Sequence, residues 1–406
     1  MRKTGISLAL VAAIAVLVAV LVAVLVAVLV AVLAWASSPD PKGNLASFEE
    51  AALDPRLAQI AQALKLARFA GGDGKPVTLL VTGFDGAGVT GIALTDLGAE
   101  QTGDPLRDLA SLGRFPTDLP AGPWVTLPMD LLLAPGSNGA VHIGAGTNFS
   151  EHAADASSTA VFQFPKFGKA TPARTTIRAR TGILLDYEVE LCMRFDRDIA
   201  TLADFDAAVK GIFLCGDFTN RTALVEMADP DNLDSGFGFS DSKSGPGHFP
   251  TGPFIVVPRD WKAFSGEVRM TTSVNDDPRQ GACGKEMTLD FRKLAEHALA
   301  DMDRPRFAYR GAFYRLAPDR KIASGMTLMS GTSEGVIFTP PARADYIEGI
   351  MAYLLAGGPL SATGLVEHVK QEFIANELKS GHFLKPGDRV RHGSNKLGDI
   401  VVEVTE

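Results

Sequence analysis

An apolar segment in the middle of the chain carries three carboxylates at alternate positions. The acids are Asp186, Glu188 and Glu190, and residues 183–185 and Leu191 around them are apolar. Residues two apart in a β-strand leave the same face, so the three acids are predicted to lie together. Carboxylates this close repel one another, and burying them without a partner is costly, which indicates a cation site. The alternative is a solvent-facing edge strand whose acids are hydrated.

Two other segments add candidate chemistry. Asp217 ends the apolar run of residues 211–217, and Arg221 follows it and could balance a crowded acidic site. His152 lies three residues before Asp155, a spacing that places both side chains on one face of a helix. A histidine oriented by a carboxylate is a typical general base. Ligands that are all oxygens favour Mg²⁺, Mn²⁺ or Ca²⁺ over zinc.

In their order along the chain, these segments resemble the fumarylacetoacetate hydrolase family. The similarity extends over residues 141–406, and Gln280, after Val274-Asn275, belongs to it. The other matching blocks are residues 146–155, 186–191, 216–221, 243–253, 330–335 and 385–388. One block alone would be a weak signal, whereas the ordered set with compatible spacing is specific.

The sequence departs from the family pattern in three respects. Asp155 stands where the family usually has Glu, which shortens the side chain by one methylene, and Gly216 and Thr219 replace Asn and Ser. A segment of helical character is inserted between residues 335 and 385, where it could cover the site or a subunit contact. Its two apolar stripes are Ile347, Ile350, Met351 and Leu354, followed by Leu365, Val366, Val369 and Phe373.

The resemblance implies a mostly β fold of the α+β class, a distorted barrel-like sandwich preceded by a small N-terminal domain. It implies that Glu188, Glu190 and Asp217 bind Mg²⁺ or Mn²⁺, with Ca²⁺ as a further option. The implied catalytic residues are His152 as base, Asp155 as its orienting partner and Lys243 as the group that stabilises an oxyanion. The implied substrate contacts are Lys166, Arg221, Gln280 and Thr332.

The resemblance also implies a reaction. In the family's hydrolases, water activated by the histidine attacks the distal carbonyl of a 1,3-diketo acid of the acylpyruvate type. The C–C bond then breaks, and negative charge moves onto a metal-bound enolate. The same scaffold serves hydratases, isomerases and decarboxylases of 2-oxo acids in aromatic catabolism, and the shorter Asp155 keeps these alternatives open. A membrane-tethered binding protein without turnover is the alternative of another class, which the presence of all the acids and of His152 disfavours.

The N-terminus predicts a membrane segment. Arg2 and Lys3 precede an uncharged stretch to Pro39, long enough as a helix to exceed the roughly 30 Å hydrocarbon core of a bilayer. The positive charges place the N-terminus in the cytoplasm and everything after Asp40 outside it. The stretch is longer than a signal-peptide core, which favours an uncleaved anchor over a cleaved signal. A misplaced start codon is the remaining alternative.

Domain boundaries can be placed from these segments. We expect an anchor at residues 1–40, a linker and small N-terminal domain at 41–140, and a catalytic domain at 141–406 with its helical insertion at about 342–380. Within the second part, the apolar spacing predicts a helix over residues 48–69 and short strands beyond residue 77.

Composition excludes some classes of function. The net charge of −8 and the lack of basic runs give no support to nucleic-acid binding, so a small polar substrate is expected. The chain has three cysteines, Cys192, Cys215 and Cys283, and no disulfide framework is predicted from this odd number. The first two lie in apolar segments, where buried packing is expected. The family tends to dimerise, so a homodimer is expected.

Two motifs point to other enzymes and are set aside. Residues 86–91 match GxGxxG, but residues 92–98 after them are too few for the helix that dinucleotide binding requires, so a β-hairpin turn is predicted. Residues 331–335 match GxSxG, the pattern of a serine hydrolase with Ser333 as nucleophile. That pattern needs a helix next, whereas residues 336–341 predict a strand ending in two prolines.

Overall fold

The computed structural model describes residues 8–36, 53, 58–118, 120–135, 139–155 and 160–406. The strands, in chain order, are β1 Ala63–Ala70, β2 Pro76–Phe84, β3 Gly88–Ala93, β4 Val125–Pro128, β5 Leu132–Leu133, β6 Val141–Gly146, β7 Phe162–Phe167, β8 Arg174–Arg178, β9 Leu185–Asp186, β10 Val189–Phe195, β11 Lys210–Gly216, β12 Thr219–Asn220, β13 Ile255–Pro258, β14 Arg269–Val274, β15 Asp277–Cys283, β16 Phe307–Tyr309, β17 Ala312–Tyr314, β18 Leu328–Met329, β19 Arg389–Ser394 and β20 Gly398–Thr405. The helices are α1 Leu8–Ala36, α2 Pro105–Ser111, α3 Ser150–Asp155, α4 Leu202–Ala207, α5 Arg221–Met227, α6 Phe239–Lys243, α7 Trp261–Gly266, α8 Phe291–Ala300, α9 Arg343–Leu355 and α10 Leu365–Ser380.

Two large sheets form the compact unit that contains residues 41–339 and 381–406. The eleven-stranded sheet has the order β4, β3, β2, β1, β13, β11, β10, β18, β6 and β7, with β5 beside β1. The five-stranded sheet has the order β15, β14, β19, β20 and β8. With the short helices between the strands, this is a mixed α/β fold in the broad class predicted. The closure into a distorted barrel-like sandwich and the domain boundaries stay predictions.

The centre of the larger sheet is the antiparallel pair β10 and β11. Every residue of both strands is buried, and the sequences of the strands are mostly apolar, with Glu190, Arg194 and Lys210 as the charged residues. Their register places Val189 opposite Gly216 and Glu190 opposite Cys215. The acids near the start of β10 are thereby brought beside the end of β11, where Asp217 follows.

A disulfide links these two strands. Cys192 and Cys215 form it, with their Cα atoms 6.0 Å apart, while Cys283 is a buried thiol that is not part of a disulfide. Cys192 pairs with Phe213, so Cys215 is its diagonal neighbour across the two strands, close enough for a bridge. The expectation that the cysteines only pack in the core is wrong for this pair, because the pairing depends on a strand register that cysteine spacing does not show.

The helix predicted over residues 48–69 is wrong where the structure describes it. Residues 63–70 form β1, an internal strand with β13, β2 and β5 as partners. Its first six residues are all buried, so Leu64 and Ala67, three residues apart as in a helical pattern, belong to a strand that is covered on both faces. Most of the remaining segment, residues 48–52 and 54–57, lies outside the described residues.

Other local predictions have mixed outcomes. The GxGxxG segment lies in a β-hairpin, because β2 and β3 pair antiparallel around it, and this prediction is confirmed. The apolar spacing of Phe291, Leu294, Ala295 and Ala298 predicts a helix with one buried face, and α8, in which all four are buried, confirms it. The strand predicted at residues 336–341 is wrong, since that stretch is irregular. It does not form a helix either, so the GxSxG segment lacks the helix that a nucleophile elbow requires.

The second compact unit consists of residues 1–40 and 340–380. Its helix α1 includes a span of 23 residues, Val11–Leu33, that is long and apolar enough to cross a membrane and is unburied. A signal sequence would pass the same test. The predicted helical insertion is present as α9 and α10, which pack against each other at Gly349, where a Cβ atom would come within 2.5 Å of Val369.

Candidate active site

The acidic segment does not form one continuous strand. Asp186 ends β9, which pairs with β12, and β10 begins only at Val189. Asp186 Oδ2 accepts a hydrogen bond from Arg221 Nε at 2.8 Å, and its oxygens also accept backbone N–H groups of Ile337 and Phe338. The expectation that three alternate acids share one strand face is therefore wrong for Asp186, whose oxygens are already satisfied.

The acids that come together are Glu188, Glu190 and Asp217. All three are buried, and one carboxylate oxygen from each lies within 4.8 Å of the other two. The position of Asp217 is fixed by the backbone, because its N–H donates to the carbonyl of Glu188 at 2.9 Å. The solvent-facing alternative is thereby excluded, and these are the residues proposed from the sequence as metal ligands.

Three cationic side chains pair with these acids. Lys243 Nζ lies 2.6 Å from Glu188 Oε2 and 2.9 Å from Asp217 Oδ2. Lys166 pairs with the other oxygen of Asp217, and Arg221 bridges Asp186 and Glu188. Lys166, Lys243 and Arg221 were all expected near the site, and the structure brings them to it.

Electrostatics keep most of this network charged. Burial lowers the pKa of Lys243, but Asp217 and Glu188 outweigh burial and raise the pKa above its usual value. Burial likewise raises the pKa of Asp217, yet Lys166 and Lys243 together hold it below its usual value. Lys243 and Asp217 therefore stay ionised at neutral pH.

Glu190 differs from Lys243 and Asp217. Its Oε2 accepts the backbone N–H of Gly331 at 2.9 Å, whereas its buried Oε1 has no hydrogen-bond partner among the described residues. Burial, with the added charges of Asp217 and Glu188, raises the pKa of Glu190 well above its usual range. A cation would offset the cost of burying this unpaired carboxylate beside two others. The carboxylate oxygens of Glu188, Glu190 and Asp217 therefore fit a divalent ion.

His152 lies on the short helix α3, near the charged network. Burial, with a further contribution from the positive charges of Arg221 and Lys243, lowers the pKa of His152 to about 4, although Glu188 acts in the opposite direction. The imidazole is therefore neutral at pH 7, and its Nδ1 has no hydrogen-bond partner among the described residues. Asp155 lies in the same helix, but its side chain is outside the described residues, so the predicted dyad stays a prediction.

Gln280 and Thr332 form a buried layer behind β10. Gln280 Oε1 accepts the N–H of Val189 at 3.1 Å, and its Nε2 donates to Thr332 Oγ1 at 2.9 Å. Thr332 in turn donates to the carbonyl of Val189 at 3.0 Å. These contacts hold the backbone between Glu188 and Glu190, and direct contact of the two side chains with substrate stays a prediction.

Two departures from the family pattern have a structural reason. A Cβ atom at Gly216 would come within 2.9 Å of Pro250 and 3.2 Å of the ring of His392, so this site has no room for the usual Asn. Thr219 keeps the hydroxyl of the usual Ser, and its Oγ1 accepts from Lys243 Nζ at 3.0 Å.

Sequence reasoning missed the residues that hold the loop around Gly331. Gly331 has φ +81°, and a Cβ atom there would lie 3.2 Å from the carbonyl of Ala145. Asn148 donates to the carbonyl of Ser330 at 2.8 Å, and Ser330 Oγ accepts the N–H of Leu191 at 3.0 Å. Asn148 and Ser330 both lie in blocks that match the family pattern, 146–155 and 330–335. Membership of these blocks is the sequence signal that could have identified them.

Together, the mixed sheets hold a buried carboxylate cluster that is a candidate divalent-metal site. The family model described as "Fumarylacetoacetate (FAA) hydrolase C-terminal" matches residues 141–405. The chain belongs to this family, as its motifs predicted.

Solved structures give the same fold. A fumarylacetoacetate hydrolase (EaFAH) from psychrophilic Exiguobacterium antarcticum is 19% identical with a TM-score of 0.55, covering 84% of this chain and 99% of that one. A 2-hydroxyhepta-2,4-diene-1,7-dioate isomerase from Mycobacterium marinum is 16% identical with a TM-score of 0.51, covering 84% and 98%. At these identities the similarity shows the fold alone. No curated protein matches the chain.

Proposed function

We propose that the protein is a divalent-metal-dependent hydrolase that cleaves a C–C bond in a 1,3-diketo acid of the acylpyruvate type. The observation that carries this proposal is Glu190, whose buried Oε1 is unpaired among the described residues and lies beside Glu188 and Asp217. These three residues would hold Mg²⁺ or Mn²⁺, with Ca²⁺ as a further candidate. A bound divalent ion would supply Lewis-acid polarisation of the substrate oxygens.

The charge of the site supports an anionic substrate. A metal-bound Glu190 is ionised, and the four carboxylates of Asp186 and the three proposed ligands then face three cationic side chains, so the protein groups alone are one positive charge short. A divalent ion changes this deficit to an excess of one positive charge. A 2-oxo acid, which carries a carboxylate next to its carbonyl, matches that excess.

The chain's own residues supply the proton chemistry. Neutral His152 has a lone pair with which to take a proton from water as the water oxygen adds to the distal carbonyl of the substrate. The bond between that carbonyl carbon and its neighbour then breaks, and the electron pair goes to the neighbouring carbon, which His152 reprotonates. Lys243 keeps its positive charge and stabilises the negative oxygen formed at the attacked carbonyl. The products are a 2-oxo acid and a carboxylic acid.

Decarboxylation or isomerisation of a 2-oxo acid at the same site is the second candidate. It is favoured by Asp155, which is one methylene shorter than the usual Glu and so reaches His152 less far. A base that is less well oriented suits reactions in which no water attacks. Lys166, Arg221 and the Gln280–Thr332 layer would position the substrate in either case.

We also propose that α1 anchors the protein in a membrane, with the residues after Asp40 outside the cytoplasm. The length and exposure of the apolar span support an anchor. The Cys192–Cys215 disulfide supports the location, because disulfides persist mainly in oxidising compartments. A homodimer stays a prediction, which light scattering of the purified protein tests.

The test is incubation of the full-length protein in detergent with a panel of acylpyruvates and with oxaloacetate, with Mg²⁺ or with a chelator. Pyruvate plus a carboxylic acid, formed only with metal, supports hydrolysis, and CO₂ from oxaloacetate supports the second candidate. Glu190→Gln is expected to abolish turnover, while the matched surface change Glu296→Gln leaves it intact. Metal-dependent binding without product would indicate a binding protein. Chelator-resistant turnover that Ser333→Ala abolishes would indicate a serine hydrolase.

A further inference from the structure

The hairpin formed by α9 and α10 has an uncharged tip. No Asp, Glu, Lys, Arg or His occurs from Gly349 to Val366, a stretch that includes the end of α9, the turn and the start of α10. Charged residues are common elsewhere in the hairpin, as at Glu348 and Glu367, which directly flank the stretch. An exposed turn in water is normally polar. The uncharged composition of residues 349–366 is therefore more typical of a segment in an apolar environment.

The apolar side chains of the tip are exposed. Leu360 is 93% exposed, Leu355 84% and Val366 64%. The other exposed apolar residues of the hairpin are Tyr346, Ile350, Met351, Leu354, Leu365 and Leu378. The hairpin's own packing uses a different face, on which Val369 and Phe373 are buried. The exposed residues are therefore left over after α9 and α10 have packed together.

The environment of the hairpin points to lipid as the medium that covers this face. The apolar helix α1 belongs to the same compact unit and contacts α9. Among residues 11–33 of α1, all are exposed except Val30, which is partly covered and lies near the C-terminal end of the span. If α1 crosses a bilayer, its C-terminal end and the helix beside it lie at one membrane surface.

We propose that the tip of the α9–α10 hairpin inserts into the outer leaflet of the bilayer that α1 crosses. This inference rests on the proposed anchoring by α1. Apolar residues of such interfacial segments are buried about 5–10 Å into the boundary between headgroups and acyl chains. The uncharged stretch ends at Glu348 and Glu367, so the charged part of the hairpin stays in water. The enzyme would then be held to the membrane surface at two points.

The experiment places an environment-sensitive fluorophore, NBD, on the full-length protein in liposomes through Leu360→Cys. The thiol of Cys283 is buried and Cys192 and Cys215 are bridged, so labelling is selective, and unsubstituted protein gives the background. Lys379→Cys, at an exposed and charged position at the far end of α10, is the matched control. Leu360 is so exposed that its replacement removes little packing.

The expected result is that the label at residue 360 is quenched by lipids with a spin label near the headgroup and is protected from iodide. The label at residue 379 is expected to show the reverse. Equal iodide quenching at both positions, in protein that floats with the liposomes, would overturn the hairpin proposal and leave the anchor standing. A label shielded from both quenchers would overturn it in favour of a second copy of the chain. Protein that does not float would refute the anchor itself, and the hairpin proposal with it.

Discussion

Glu188 and Glu190 are expected to respond in opposite ways to the same isosteric change. In Glu188→Gln, Arg221 and Lys243 each lose a close charged partner inside the protein. Breaking a buried ion pair in this way costs about 3–5 kcal/mol of unfolding free energy. In Glu190→Gln, the side-chain oxygen that accepts from Gly331 is kept, and no ion pair is lost among the described residues.

The structure sets a magnitude for Glu190. The three ligand oxygens lie within 4.8 Å of one another, and two like charges at 4.8 Å repel by about 3.5 kcal/mol at an effective dielectric constant of 20, which sets the scale of the repulsion that Gln relieves for each neighbouring acid. The raised pKa of Glu190 means that the side chain already avoids part of this repulsion by binding a proton. Without metal, Glu190→Gln should therefore be neutral or stabilising.

The assay is denaturant unfolding of full-length protein in detergent, with chelator or with Mg²⁺. At a metal concentration of 100 times Kd, the unsubstituted protein should gain about 2.7 kcal/mol, and both Gln variants should lose most of this gain. With chelator, only Glu188→Gln should be destabilised. If Glu190→Gln costs as much as Glu188→Gln under chelation, Glu190 has a partner and the reasoning that assigns a cation to it is refuted.

Three further changes test separate features of the protein. Replacing Cys192 and Cys215 together by Ala removes a cross-link with a sequence separation of 23 residues, and should lower the unfolding free energy by about 3 kcal/mol in denaturant titrations; no difference from the oxidised parent would mean that the bridge does not form. Burial lowers the pKa of His142 to about 3, so its contribution to stability is complete above about pH 6.5 and is lost as pH falls. By pH 4 the loss should be on the order of 3 kcal/mol, and His142→Gln should flatten the dependence of Tm on pH between 7 and 4; an unchanged slope would contradict this. His152→Gln should lower kcat by roughly 10²–10⁴-fold with metal affinity retained, as measured by turnover and titration, and full activity in this variant would exclude His152 as the base.

The parts of the site that the sequence predicted are those fixed by local pattern. Glu188 and Glu190 stand two residues apart in one segment, and Asp217 ends the neighbouring apolar run. Lys243 and Lys166 could be predicted as site residues only from the family motifs, because a lysine by itself does not indicate where in the fold it lies. Antiparallel pairing of β10 with β11 brings these local patterns together.

The parts that the sequence did not predict depend on contacts far along the chain. Asp186 looks equivalent to Glu188 in the sequence, but Arg221 and the distant backbone N–H groups of Ile337 and Phe338 already use its oxygens. The disulfide depends in the same way on strand register. The apolar spacing of the β1 segment predicts a helix, because a strand buried on both faces lacks the alternation of polar and apolar residues that identifies a strand.

Binding of Mn²⁺ tests the central claim most directly. Electron paramagnetic resonance of free Mn²⁺, titrated into chelator-treated full-length protein, counts the ions bound per chain. We predict one bound ion for the unsubstituted protein and for Glu296→Gln, competition by Mg²⁺, and none for Glu190→Gln. An unsubstituted protein that binds no Mn²⁺, or a Glu190→Gln variant that binds it equally well, would contradict the assignment of the Glu188, Glu190 and Asp217 cluster as a metal site.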